Sequence, residues 1–181
     1  MFKCDLGDGL KLTLLEKRHA TTLFAAIDRN RESIGAWLAF PMHTKQVSDT
    51  EAFIERSLLR WTEEDGWWAL IWDGDQLVGS IGLLYVDHDT GKTELAYWLV
   101  KEAEGKGIVT CTAREFVHTA FAELGLNKIE IGAAVGNDKS AAVAKRLGFQ
   151  EEGTIRSYEK LHGRFLDRTF FGLLRSEWQT S

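Results

Sequence analysis

Glu104-Gly105-Lys106-Gly107-Ile108-Val109-Thr110 is the stretch on which the reading of this chain turns. Ahead of it, Glu94-Leu95-Ala96-Tyr97-Trp98-Leu99-Val100 carries the aliphatic and aromatic side chains that favour a strand. Behind it, between Cys111 and Leu124, apolar residues recur at Phe116, Val117, Ala120, Phe121 and Leu124, the spacing of one helical face. The two glycines therefore stand where a strand ends and a helix begins. At such a junction the first helical amides lack intrahelical partners and the helix dipole is positive. A glycine has no Cβ to keep a ligand off the backbone. The site suits a phosphate or pyrophosphate.

Two familiar phosphate loops fit poorly. A dinucleotide fingerprint needs a third Gly or Ala where Thr110 stands; Glu130 lies loosely where its acidic partner belongs, about twenty residues on. A P-loop needs Gly-Lys-Ser/Thr, but Ile108 follows Gly107. An ordinary glycine turn before a helix stays open on these residues alone.

The 181 residues suffice for one domain with a substantial core, and we read residues 1–181 as a single domain. No run is long enough to span a membrane, and Met1-Phe2-Lys3-Cys4-Asp5 lacks the apolar core of a signal peptide. Cys4 and Cys111 have no metal-ligand spacing, so no metal is expected and both read as reduced thiols of a cytoplasmic protein. A net charge of −5 argues against direct nucleic-acid binding and fits a small molecule or a basic protein segment.

Along the chain, Leu10 to Leu14 alternates as a first strand. Ala20 to Ile27 and Glu32 to Leu38 read as helices, and Pro41 is expected to end that helical region. Ser48-Asp49-Thr50-Glu51 reads as a capping box with Ser48 as the N-cap. Trp67 to Trp72 and Leu77 to Val86 are strands joined at Asp73-Gly74-Asp75, and the Glu94 strand follows another turn at Asp87 to Gly91. Beyond the long helix, Lys128 to Val135 is a strand and Asn137 to Leu147 a helix closed by Gly148. Gln150 to Leu161 and Arg164 to Leu174 form a last hairpin at His162-Gly163. This order predicts a mixed α/β (α+β) sheet rather than a doubly wound parallel one.

The glycine stretch resembles the pyrophosphate loop of the GCN5-related N-acetyltransferases (GNAT), Gln/Arg-x-x-Gly-x-Gly/Ala, with Glu104 in place of Gln/Arg and Val109 in place of the small residue. Asn137-Asp138-Lys139-Ser140 followed by Leu147-Gly148-Phe149 is similar to that superfamily's Asn-x-x-Ala/Ser and Leu-Gly-Phe segments. Glu152-Gly153, Arg156, Gly163-Arg164-Phe165, Asp167, Leu173-Leu174 and Glu177-Trp178 look like the closing pattern of its RimJ/RimL-type branch, which modifies N-terminal amines of ribosomal proteins.

The resemblance implies a twisted mixed sheet with flanking helices, whose central strands, those of Glu94 and Lys128, splay apart. It implies acetyl-CoA as donor. Pantetheine would meet the backbone near Leu99 and Val100, and the pyrophosphate would lie on Glu104, Gly105, Lys106, Gly107, Ile108, Val109 and Thr110. Asn137 and Ser140 would line the thiol end.

An attacking amine must be neutral, so the reaction needs a base or a water leading to one. Glu94, Glu130 and Glu159 are the expected candidates, Glu130 having solvent-facing as its alternative reading. The place of the superfamily's Tyr acid holds Ala144, which leaves Ser140 as either the proton donor or a first-turn helix residue. Trp37 is expected to border the acceptor. The implied acceptor is the N-terminal amine of a basic ribosomal protein. The alternatives are a small amine (polyamine or aminoglycoside) or a non-catalytic acyl-CoA-binding module. No membrane partner is expected, and a homo-oligomer is left open.

Overall fold

Lys3–Gly7 (β1) and Leu10–Leu14 (β2) form an antiparallel hairpin in the computed structural model, which describes residues 3–178. Sequence reading found β2 and not β1, because β1 has no buried residue and hence no apolar alternation to betray it. Helices α1 (Ala20–Arg29), α2 (Arg31–Gly35), α3 (Phe40–His43) and α4 (Val47–Thr62) follow.

Two expectations are corrected here. Pro41 does not end a helical region but lies in the first turn of α3. There a missing amide costs nothing and the fixed φ helps. The cap of α4 is Gln46, not Ser48, and the reaching carboxylate is Asp49, not Glu51. Asp49 accepts from the amides of Lys45 at 2.7 Å and Gln46 at 3.0 Å. This earlier start turns Thr50 inward, where its hydroxyl donates to the carbonyls of Ala20 and Val47.

The strands β3 (Trp68–Asp73), β4 (Gln76–Asp87) and β5 (Lys92–Leu99) come next, then α5 (Ile108–His118), β6 (Lys128–Ala134), α6 (Asp138–Arg146), β7 (Gln150–Leu161) and β8 (Arg164–Leu174). Helix α5 is shorter than the apolar spacing predicts. From Thr119 to Glu123 it widens into a π turn, with the Leu124 amide on the Thr119 carbonyl at 3.1 Å. The wider turn leaves Ala120 and Phe121 both buried.

The chain divides into two compact units. One takes the residues up to Gly82 together with Tyr97–Thr112, the other Leu83–Ala96 together with everything from Ala113. In the first, β2 pairs antiparallel with β3 and β3 with β4, placing Leu12, Leu70, Ile71 and Ile81 in a fully buried core. In the second, β5 pairs parallel with β6, β6 antiparallel with β8, and β8 with the edge strand β7. Hydrogen-bonded order is β1-β2-β3-β4-β5-β6-β8-β7, a mixed sheet as expected. The parallel ladder runs only from Lys92–Lys128 to Glu94–Glu130 and stops there, although both strands continue. No helix of the described residues is long and apolar enough to cross a membrane.

Candidate functional site

The glycine loop lies in the first unit. After β5, Val100 donates its amide to Val78 at 2.8 Å and accepts from Ala103, so the chain leaves the sheet in a fixed direction. Gly105 and Gly107 then adopt φ of +78° and +77°, left-handed conformations that disfavour any other residue. Cys111 makes the first intrahelical bond of α5, to the Gly107 carbonyl at 3.0 Å. Ile108 and Val109 therefore open the helix with no earlier turn to bond, at its positive end. Both glycines are exposed, and a Cβ on either would meet no protein atom within 4 Å. The result is an exposed backbone turn at a helix N-terminus, a setting that favours anionic groups in general. Glu104 pairs with Lys101 at 3.6 Å, and Lys106 is exposed. Trp37, half-buried just past α2, belongs to the same unit.

The candidate carboxylates lie in the second unit, gathered by Arg168 of β8. Arg168 Nη2 donates to Glu94 Oε1 at 3.0 Å and to the Gly132 carbonyl at 3.1 Å. Its Nη1 stands 3.9 Å from Glu159 Oε2. The guanidinium also lies against the rings of Tyr158 and Phe170, at 5.4 and 5.7 Å. Gly132 leaves room for this guanidinium, since a Cβ there would meet Arg168 Nε and make the arginine shift. That Nε is buried without a hydrogen-bond partner.

Glu94 is only 7% exposed. Burial pushes its carboxyl above the ordinary range, a shift that Arg168 opposes and that Glu130 and Glu159 reinforce. Glu159 is half-buried at the edge of this cluster and makes the looser contact. Glu130 does not simply face solvent. It is half-buried, accepts from the Tyr85 hydroxyl at 3.2 Å and pairs with Lys128 at 3.1 Å. Burial and then Glu130 push the Tyr85 phenol upward, so it stays protonated and donates.

Asn137 is the cap of α6, and its Oδ1 accepts from the Ser140 amide at 3.2 Å. Ser140 is thereby fixed, half-buried, in the first turn. Ala144 is fully buried. Arg168 and Tyr85 escaped the sequence reading. Nothing local separates Arg168 from the neighbouring Arg156, Arg164 and Arg175. Only the pairing of β6 with β8 brings it beside Gly132 and Glu94.

The first unit thus offers an exposed glycine backbone at a helix N-terminus, and the second a short parallel ladder beside a cluster of carboxylates around Arg168. The chain belongs to the acetyltransferase (GNAT) domain family, which it matches over residues 10–150, and it is an N-acetyltransferase with acetyl-CoA as donor. It is 38% identical, over 99% of its length and 98% of the relative's, to the Bacillus subtilis (strain 168) protein named "Putative ribosomal N-acetyltransferase YdaF". A crystal structure of a "Probable acetyltransferase" superposes with a TM-score of 0.91 at 36% identity, covering 98% of this chain and 99% of that one. The microcin C7 self-immunity acetyltransferase MccE, solved with acetyl-CoA and AMP, gives 0.88 at 26% identity over 93% and 94%.

Proposed function

We propose that this enzyme, acting as one N-acetyltransferase domain in the cytoplasm, acetylates the N-terminal α-amine of a ribosomal protein. The observation that carries the reading is 38% identity, over nearly the full length of both chains, to a relative named for ribosomal N-acetylation. The carboxylates of the second unit support it, since Glu94, Glu130 and Glu159 offer a cationic amine more negative charge than Arg168 and Lys128 cancel.

Acetyl-CoA supplies an activated acyl group and a thiolate leaving group. We assign its pyrophosphate to the backbone from Glu104 to Thr110 and its pantetheine to Leu99 and Val100. Asn137 holds the first turn of α6 and so fixes where the Ser140 hydroxyl stands, ready to hydrogen-bond the departing sulfur. Glu159 and Glu94 are the groups through which the attacking amine loses its proton, and Trp37 borders the acceptor.

An α-amine, with a pKa of about 7.7–8.0, is neutral in roughly one molecule in ten at neutral pH, whereas lysine at about 10.4 is neutral two to three orders of magnitude less often. An active site without a Tyr acid, and with its most buried carboxylate already paired to arginine, fits the easier amine.

Lysine-containing peptides with free and with acetylated N-termini, together with spermidine, are the acceptors to compare. Label should appear on the free α-amine alone, read by mass spectrometry. Label on lysine in both peptides, or transfer to spermidine only, sinks the assignment. In the same assay Ser140→Ala should lower kcat about a hundredfold, a much larger change than in acetyl-CoA affinity. A loss of less than about threefold would reduce Ser140 to a helix residue.

A further inference from the structure

Just before Glu159 the β7–β8 ladder breaks register. Ile155 pairs with Arg168 and Glu159 with Leu166, so Arg156, Ser157 and Tyr158 together oppose Asp167. Ser157 sits at φ +52°, a left-handed conformation that costs a residue bearing a Cβ. Asp167 secures this backbone, its Oδ1 accepting from the Ser157 amide at 2.9 Å. The carbonyl of Asp167 accepts from the Val135 amide, also at 2.9 Å, two residues before the Asn137 cap of α6. One residue thus ties the bulge carrying Glu159 to the strand end that leads to Ser140.

Core packing does not explain the bulge. Arg156 and Ser157 are exposed, and Tyr158 remains 45% exposed. What the bulge achieves is placement, the usual effect of such an insertion. Tyr158 turns edge-on to Phe170 at 5.2 Å and onto the Arg168 guanidinium, and the next residue, Glu159, comes to 3.9 Å from the same group.

We propose that Asp167 is a positioning residue of the transfer reaction, latching the Arg156–Tyr158 bulge so that Glu159 is held beside Arg168 where the amine is deprotonated. The proposal rests on the acetyl-transfer reading above. A carboxylate displaced by about 1 Å can cost up to a hundredfold in rate.

The test uses the full chain, acetyl-CoA and a peptide with a free N-terminus. Asp167→Ala should lower kcat roughly ten- to hundredfold, with the acetyl-CoA Kd and the peptide KM little changed. Asp167→Asn, which keeps the accepting Oδ1, should retain most of the activity. Adding Ser157→Gly to Asp167→Ala should recover part of the loss, because glycine holds the left-handed conformation without a latch. Wild-type kcat in Asp167→Ala would overturn the proposal. So would equal losses in Asp167→Ala and Asp167→Asn, no recovery in the double variant, or a parallel fall of kcat, acetyl-CoA affinity and melting temperature. A wild-type enzyme that acetylates no peptide would instead refute the functional reading, and this proposal with it.

Discussion

Gly107→Asp is expected to weaken acetyl-CoA binding by at least about a hundredfold, whereas the substitutions aimed at the chemical step should leave that affinity little changed. Two costs combine. Gly107 holds φ at +77°, and a residue with a Cβ pays roughly 1–2 kcal/mol for that conformation, a cost that falls on binding when the empty loop relaxes out of it and must be restored around the ligand. The added carboxylate would also face a diphosphate, a like-charge contact worth about 4 kcal/mol at 4 Å for an effective dielectric constant near 20. Even with half of that screened, the sum exceeds the roughly 2.8 kcal/mol that a hundredfold represents. A Cβ at Gly107 meets no protein atom within 4 Å and the residue is exposed, so the loss of stability should stay within that roughly 1–2 kcal/mol of backbone strain. Calorimetry on the folded variant decides: unchanged affinity would move the pyrophosphate away from this loop. Gly107→Ala, which adds strain without charge, should lose much less.

That the loop is legible in the sequence follows from how local its determinants are. Two glycines between a strand and an amphipathic helix fix a backbone shape with little help from the rest of the chain. The start of α6 at Asn137 and the hairpin of β7 and β8 are legible for the same reason. The hairpin's ends fall where sequence reading places them, at Gln150, Leu161, Arg164 and Leu174. Reading fails where the deciding contact is distant in sequence. The cap of α4 lies two residues upstream of its expected place, and the Thr50 hydroxyl that this turns inward finds its partner at Ala20, thirty residues away. Arg168 is separated by 74 residues from Glu94, and no periodicity announces such a pair. The bulge in β7 is invisible for another reason: its strained residue is a serine, not the glycine that would have flagged it.

Arg168→Met is expected to cost about 3–5 kcal/mol of stability at neutral pH, the usual penalty for leaving one member of a buried ion pair without its partner. The methionine keeps much of the packing against Tyr158 and Phe170, so the loss should come chiefly from Glu94 and should depend on pH in a definite direction. In the wild type the carboxyl of Glu94 is held above its ordinary value of about 4.3 by burial, with Arg168 opposing the shift. The folded state therefore takes up the Glu94 proton more readily than the unfolded state. For a group shifted this way, stability is highest below the ordinary value and declines as pH rises through the folded value. Removing Arg168 raises the folded value further and extends the decline to higher pH. The gap between variant and wild type should accordingly be large near pH 7.5 and shrink toward pH 5, as protonation relieves the buried charge. Urea denaturation at the two pH values measures it. Arg168→Met combined with Glu94→Gln should recover much of the neutral-pH loss, since a neutral amide replaces the stranded carboxylate. A penalty that is equal at both pH values, or undiminished in the double variant, would mean that Arg168 stabilises the fold through the aromatic rings and not through Glu94.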